Sequence, residues 1–410
     1  MSEQNKNDGG NLMRPLEGVT ILDLTRVVAG PYATMILSDL GARVIKIENP
    51  GDPDYTRDFL PYMESGSKKM SASFLQYNRN KEAITLNLKK EEAREIFREM
   101  VKKADIVFEN YRAGVMDKLG LGYEALKKVN PRIVYTAISG FGQSGPYSNW
   151  PAYDNSGQAL SGLWSMNGMP GHPTRIGTII GDEAATFFST IGTLAAYIHA
   201  KQTGEGQMVD VAQLDSSLAL TEYAVVNYTV GGQVQQPLGN DHNLCRPYGM
   251  FPSKDGYVFF GGYTDRFWKT VCEFFGEPEL LNDPEIDTMS KRFNLETYNR
   301  KVLPKINEWF SRYTSQELQD ALAEKVPLTA IHSMDEVLKD PQLNYRNMFI
   351  EGRYGDACSK VFGTPIKLSA TPCEPSATAP EVGEHNEKIF GEFFSYDAEK
   401  LRELKEQGVI

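Results

Sequence analysis

The residues best suited to covalent chemistry in this 410-residue chain lie at the step Gly181-Asp182. A short apolar run, residues 176–180, ends there, and a segment rich in Ala, Phe, Leu and Ile follows. The spacing predicts a helix over residues 183–202 with Asp182 at its start, where an acid serves as an N-cap. A helix start also favours the ionised form of a carboxylate by about 0.3–1 kcal/mol, and only that form attacks a carbonyl carbon. Asp182 is therefore a capping candidate and a candidate nucleophile. The usual metal ligands offer no competing chemistry. Cys245, Cys272, Cys358 and Cys373 make no CxxC pair, and the five histidines stand at no ligand spacing, so no metal site is expected.

A chain of this length exceeds an average domain and can bury a large core. Its formal net charge of −11 argues against nucleic acid or an anionic membrane as partner, yet leaves room for one basic pocket holding a phosphate-bearing ligand. Residues 1–12 are polar and read as a disordered leader, and no run of about 18 apolar residues occurs. The expectation is a cytoplasmic protein with reduced thiols.

Something must position Asp182. Strand patterns at residues 18–23 (GVTILD), 43–48 (RVIKIE), 83–88 (AITLNL), 105–110 (DIVFEN), 132–139 (RIVYTAIS) and 208–212 alternate with helical patterns at 32–40, 89–103, 123–129 and 183–202. Such alternation predicts an α/β fold built on a Rossmann-like doubly wound parallel sheet. Residues 53–76 read as irregular, 214–228 and 390–407 as single helices, and 363–383 as an extended tail. After residue 224 the texture changes. A strand at 257–262 and helices at 266–275, 299–313 and 314–323, the last capped by Ser315, predict a second, smaller α+β domain over 225–326. Residues 13–224 then form the large domain, and 327–410 a segment that returns to it.

Residues 18–48 imitate a dinucleotide-binding fingerprint, with Glu48 ending the second strand. Their turn, however, is Val-Val-Ala-Gly-Pro, so the glycines that admit a pyrophosphate are missing and NAD is not expected. Ligands of open α/β sheets sit beyond the carboxyl ends of the strands. That rule points to the loop at 140–146 (GFGQSGP), after which Tyr153 and Asp154 follow shortly.

Taken in order, LEGVTILDLTRVVAGPYATMILSDLGARVIKIENPGD, RNKEAITLNLKK, ADIVFENYRAGVMDKLGLGYEAL, NPRIVYTAISGFGQSGP, PAYDNSGQALSG, IIGDEAA, KQTGEGQMVDVAQLD and GTPIKLSATP resemble the class III CoA-transferases. That family includes formyl-CoA transferase and the carnitine and bile-acid CoA-transferases, and the resemblance runs over residues 16–394. It implies two ring-shaped subunits interlocked as a homodimer, with the last segment completing the large, CoA-binding domain. It implies coenzyme A, as acyl-CoA, for a substrate, small carboxylic acids as partners, and no bound prosthetic group. It also implies that Asp182 is the nucleophile, passing through an aspartyl anhydride and an aspartyl-CoA thioester.

Position by position, the resemblance implies that Val28 and Ala29 approach the CoA thiol. Leu86, Asn87, Leu88 and Lys89 would form an adenine-side segment, and Asn110, Tyr111 and Arg112 a second wall. Lys118 stands where formyl-CoA transferase has an arginine, and Asn49 where an arginine there would contact phosphate. Lys89, Arg112 and Lys118 are the cations expected near the phosphates. Formyl-CoA transferase carries glutamine in place of Val28 and a longer Gly-rich loop than Gly261-Gly262, which argues against oxalate or formyl-CoA as natural substrate. The related α-methylacyl-CoA racemases use a histidine before an Asp where this chain reads Tyr153-Asp154, and tyrosine is a poor base near neutral pH. The function expected is CoA transfer from an acyl-CoA to a carboxylic acid. The alternatives are a racemase or isomerase of acyl-CoA thioesters, or a CoA-binding protein without turnover.

Overall fold

A computed structural model describes residues 14–242, 244–373 and 375–410. The leader expected at residues 1–12 lies outside the described residues. Six parallel strands form the central sheet: β1 (Thr20–Asp23), β2 (Arg43–Glu48), β3 (Glu82–Thr85), β4 (Ile106–Glu109), β5 (Val134–Ser139) and β6 (Met208–Ala212). Their spatial order is 3-2-1-4-5-6, the doubly wound order of dinucleotide-binding sheets. One row of partners crosses the whole sheet: Glu82, Ile45, Leu22, Val107, Tyr135 and Met208.

Both faces are covered, which is why these strands read as near-continuous apolar runs. Leu22, Ile45 and Val107 point to a core shared with Phe97, Met100, Ile389, Phe390 and Leu404. Their neighbours Ile21, Val44 and Ile106 point the other way. There they pack with α1 (Ala29–Asp39), through Ala33 and Leu37, and with the long helix Ile180–Thr203, through Ala185 and Ala196.

Several local expectations change. α1 starts at Ala29, because Pro31 fits inside a first helical turn whose N–H groups need no partner. Residues 53–76 are ordered: strands Tyr62–Ser65 and Lys68–Ser71 form a hairpin, and Ser71 caps the helix Ala72–Asn78 by accepting from Phe74 N at 3.1 Å. The segment at 214–228 is two helices, Gln213–Ala219 and Ala224–Gly231, and that at 390–407 is also two, Asn386–Phe394 and Ala398–Glu406. Between them Glu222 and Ser395 take φ of 55° and 57°, which a right-handed helix cannot hold. Part of the C-terminal segment, expected to return to the large domain, lies along the β3 edge, where His385 N donates to Ala83 O at 2.9 Å and Thr85 N to Asn386 Oδ1 at 2.9 Å.

Contacts divide the chain into two units. One holds the central sheet and comprises residues 14–163, 176–225 and 342–410. The other, residues 164–175 and 226–341, contains an antiparallel sheet of Gly249–Pro252, Tyr257–Phe260 and Leu328–Ala330. Its core includes Trp268, Trp309 and Phe310. Thr314 rather than Ser315 caps its helix Ser315–Leu322: Thr314 Oγ1 accepts from Glu317 N at 3.2 Å while Glu317 Oε2 accepts from Thr314 N at 2.8 Å.

Candidate active site

All residues in this section belong to the unit that holds the parallel sheet. The strand order reverses between β1 and β4, and the turns leaving these two strands meet. Asn110 Oδ1 accepts from Arg26 N at 2.8 Å, and Asn110 Nδ2 donates to Arg26 O at 2.7 Å. Buried charges hold the first turn from beneath. Lys46 Nζ donates to Thr25 O at 2.9 Å and pairs with Asp54 Oδ2 at 3.2 Å, while the Asp54 carboxylate accepts from Val27 N at 3.2 Å. Lys81 pairs with Asp23 Oδ2 at 3.0 Å, and Thr34 Oγ1 donates to the same oxygen at 2.7 Å. Burial raises the pKa of Asp23, but Lys81 and Lys46, with the hydroxyls of Thr25 and Thr34, outweigh it and hold the carboxyl below its ordinary range. Val27 has φ of 71°, a left-handed conformation that costs a β-branched residue about 1–3 kcal/mol.

Neighbouring residues of these two turns line two cavities. Val27, Val28, Ala29 and Asn110 border one of about 180 Å³, together with Gly140, Tyr153, Asp154, Asp182 and Gln213. Arg26 and Tyr111 border the other, of about 300 Å³, with Asn49, Leu86, Leu88, Lys89 and Lys118. Asn87 and Arg112 stand in neither wall. Asn87 ties down the C-terminal segment: its N–H donates to Val409 O at 2.8 Å and its Nδ2 to Gly408 O at 3.2 Å. Arg112 is exposed. Lys89 and Lys118 are exposed and form no ion pair among the described residues.

Asp182 stands inside the first turn of its helix and does not cap it. We label Asp154–Leu160 α2, Ile180–Thr203 α3 and Gln213–Ala219 α4. The capping is done from outside by Asp154, the first residue of α2. Its Oδ1 accepts from Gly181 N at 2.8 Å and Asp182 N at 3.1 Å, and its Oδ2 from Gln158 Nε2 at 2.6 Å. The approach requires glycine at 181, since a Cβ there would lie 2.9 Å from Asp154 Oδ1 and 3.0 Å from Ser217 Oγ. Asp182 Oδ1 accepts instead from Gln213 Nε2 at the start of α4. Burial, then the negative charge of Asp154, push the Asp182 carboxyl up to about 7 against the lowering effect of the Gln213 bond. Near neutrality the carboxyl is therefore held protonated to a greater extent than an ordinary aspartate.

Reasoning from the sequence missed Arg26 and Gln213. Gln213 directly follows β6, at the carboxyl end of a parallel strand, and that position was the available signal. Among the described residues, no cluster of three or more His, Cys, Asp or Glu side chains is placed to hold a metal ion, and no helix is long and apolar enough to cross a membrane.

A doubly wound sheet with a carboxylate at a helix start, beside a cavity at the strand ends, narrows the class of protein, and comparison with known proteins completes the step. Residues 16–386 match the model of CoA-transferase family III, and the chain belongs to that family. It is 37% identical over 393 residues to acetyl-CoA:oxalate CoA-transferase of Acetobacter aceti, covering 94% of this chain and 97% of the relative. It is 35% identical to succinyl-CoA:mesaconate CoA-transferase of Haloarcula hispanica, covering 93% and 96%. Against human succinyl-CoA:glutarate CoA-transferase the identity is 35%, covering 98% and 91%. The crystal structure of a CAIB/BAIF family protein from Brucella suis superposes with a TM-score of 0.82 at 33% identity, over 93% of this chain and 99% of that one. The protein is accordingly a CoA-transferase.

Proposed function

We propose that the protein moves CoA from an acyl-CoA to a carboxylic acid through covalent intermediates on Asp182. The ionised carboxylate attacks the thioester carbonyl, expelling CoA thiolate and leaving a mixed anhydride. The thiolate then attacks the aspartyl carbonyl, releasing the first acid and leaving an aspartyl-CoA thioester. An incoming carboxylate runs the two steps in reverse and departs as the new acyl-CoA. Splitting one hard exchange into easier ones is the advantage of a covalent route. Water has to be kept from the anhydride.

The observation that carries this reading is the position of Asp182. Its carboxylate borders a cavity walled by the Val27–Ala29 turn, and residues adjacent to that wall border a second cavity rimmed by Lys89 and Lys118. The nucleotide end of CoA fits the second cavity, with its phosphates near those lysines, and the pantetheine crosses the Arg26–Asn110 contact toward Asp182. Relatives named for mesaconate, glutarate and oxalate favour small dicarboxylic acids as acceptors. Transfer is favoured over racemisation because Tyr153 is 76% exposed and both Asp154 oxygens are engaged in hydrogen bonds. A homodimer, interlocked as the family resemblance implies, fits the apolar side chains that α3 leaves exposed, Phe187, Phe188, Ile191 and Ile198. A cytoplasmic setting suits four cysteines with no disulfide among them.

The test is to incubate the protein with succinyl-CoA or acetyl-CoA, quench with hydroxylamine and map the modified peptide by mass. Label at Asp182 is expected, together with transfer to glutarate, mesaconate or another member of a dicarboxylate panel. Retention of transfer by Asp182→Ala would overturn the mechanism. Exchange of the α-proton of the acyl group with deuterated solvent would mark a racemase instead. Sedimentation as a monomer at micromolar concentration would remove the dimer.

A further inference from the structure

Gln213 is an uncharged residue with no place in the covalent route just described, yet its amide is the side-chain group bonded to the Asp182 carboxylate. The backbone around it is fixed. Leu214 N donates to Gly140 O at 3.0 Å, and α2 packs so closely that a Cβ at Gly157 would lie 3.0 Å from the Gln213 carbonyl carbon. Two backbone donors at the start of α3 are already taken, since Gly181 N and Asp182 N both donate to Asp154 Oδ1. The Gly181 and Asp182 amides therefore do not serve as an oxyanion site for the aspartyl group, whereas the Gln213 amide already donates to its carboxylate.

We infer that Gln213 assigns separate roles to the two oxygens of Asp182: Oδ2 attacks and is exchanged with the substrate acids, while Oδ1 stays with the protein and bears the oxyanion that Gln213 stabilises. This rests on the covalent route above. In the first step an Oδ2 lone pair forms the bond to the acyl carbon, and the C–S bond breaks to release CoA thiolate. The anhydride then has Oδ2 as its bridge and Oδ1 as the aspartyl carbonyl oxygen. When the thiolate adds to Cγ, the C=O electrons move onto Oδ1, where the Gln213 N–H donates. As the carbonyl re-forms, the Cγ–Oδ2 bond breaks and Oδ2 leaves in the released acid. The acceptor acid brings in a replacement oxygen when it attacks Cγ, and that oxygen remains on Asp182 when CoA departs with the new acyl group. Each turnover thus renews one aspartyl oxygen and spares the other.

The experiment uses an acceptor carboxylate with both oxygens of each carboxyl group labelled with ¹⁸O, such as glutarate, and many turnovers before digestion and mass mapping of the Asp182 peptide. The unmodified protein should take up one ¹⁸O and no more, and Gln213→Met, close in size but without a donor, should drift toward two. In Gln213→Met kcat should fall about 10²–10³-fold, as for loss of one oxyanion donor, with KM for acyl-CoA changed less than about threefold. The acid limb of its pH profile should also move to higher pH, because the bond that favours the charged form is gone. Two labels in the unmodified protein would overturn the inference while leaving the covalent route intact, and this arm needs no variant to fold. No label on Asp182 at all would instead remove the covalent route itself.

Discussion

Asp154 caps the helix that carries Asp182, accepting from the N–H of Gly181 at 2.8 Å and of Asp182 at 3.1 Å. One acid thus takes two backbone donors at the helix start, and the other, within the first turn, is left with a side-chain amide. The arrangement orients Asp182 and also places a negative charge beside it, which makes it harder to ionise.

The first prediction concerns pH. With the Asp182 carboxyl at about 7 rather than its ordinary 3.8, transfer should rise along an acid limb centred near pH 7, measured as kcat/KM against pH. The same shift acts on stability. The folded-state value lies above the unfolded one, so the contribution is fully present below about pH 4 and is lost as pH rises through 7. Asp182→Asn should therefore abolish transfer and raise Tm by about 1–3 °C at pH 8, with the difference vanishing near pH 4.

Removing the neighbouring charge should move that limb the other way. Asp154→Asn keeps an acceptor oxygen for the helix start but not the negative charge, so the acid limb should shift down by about half a unit to one unit. The lost bond from Gln158 loosens the cap, and kcat should fall about tenfold through misplacement of the carboxylate. A limb that stays in place would mean that burial alone sets the Asp182 pKa.

Lys89 and Lys118 should act on binding and not on the chemical step. Each alanine variant should raise KM for acyl-CoA about 3–10-fold with kcat unchanged, an effect that shrinks as salt is added. Arg112→Ala, outside both cavity walls, should change KM less than about twofold. Steady-state kinetics at two ionic strengths decides this.

The buried ions beneath the first turn should be costly to break. Lys46→Met leaves Asp54 buried without its cation, and loss of one partner of such a pair costs about 3–5 kcal/mol. Urea unfolding should show this as a lowered midpoint. A variant within about 1 kcal/mol of the unmodified protein would mean that Asp54 finds other compensation.

Much of this molecule could be read before it was seen. Apolar runs such as Ile21–Leu22 and Val44–Ile45 alternate with helical spacing, and only a sheet covered on both faces satisfies that pattern. The Gly181-Asp182 step drew attention because a small residue, an acid and an apolar helix coincide. The breaks at Glu222 and Ser395 were hidden because neither position is a glycine, so a left-handed residue gave no compositional sign. Gln213 was hidden for a different reason. A lone amide after a strand differs little from any polar surface residue, and its part depends on α2, α3 and α4 converging from distant stretches of chain. Asn87 shows the converse: its position in a motif suggested a ligand wall, while the folded chain uses its amide to hold residues 408 and 409.

The Arg26–Asn110 contact has one more consequence. The partition it makes is two backbone turns joined through a single carboxamide, with a different set of side chains on each side. On the proposed reading, substitutions on the Asp182 side would leave the lining of the other cavity, with Leu86, Lys89 and Lys118, in place. Were the two cavities to divide acid from CoA as proposed, the cargo could change while the handle stays the same, and an engineer would redesign the Asp182 side.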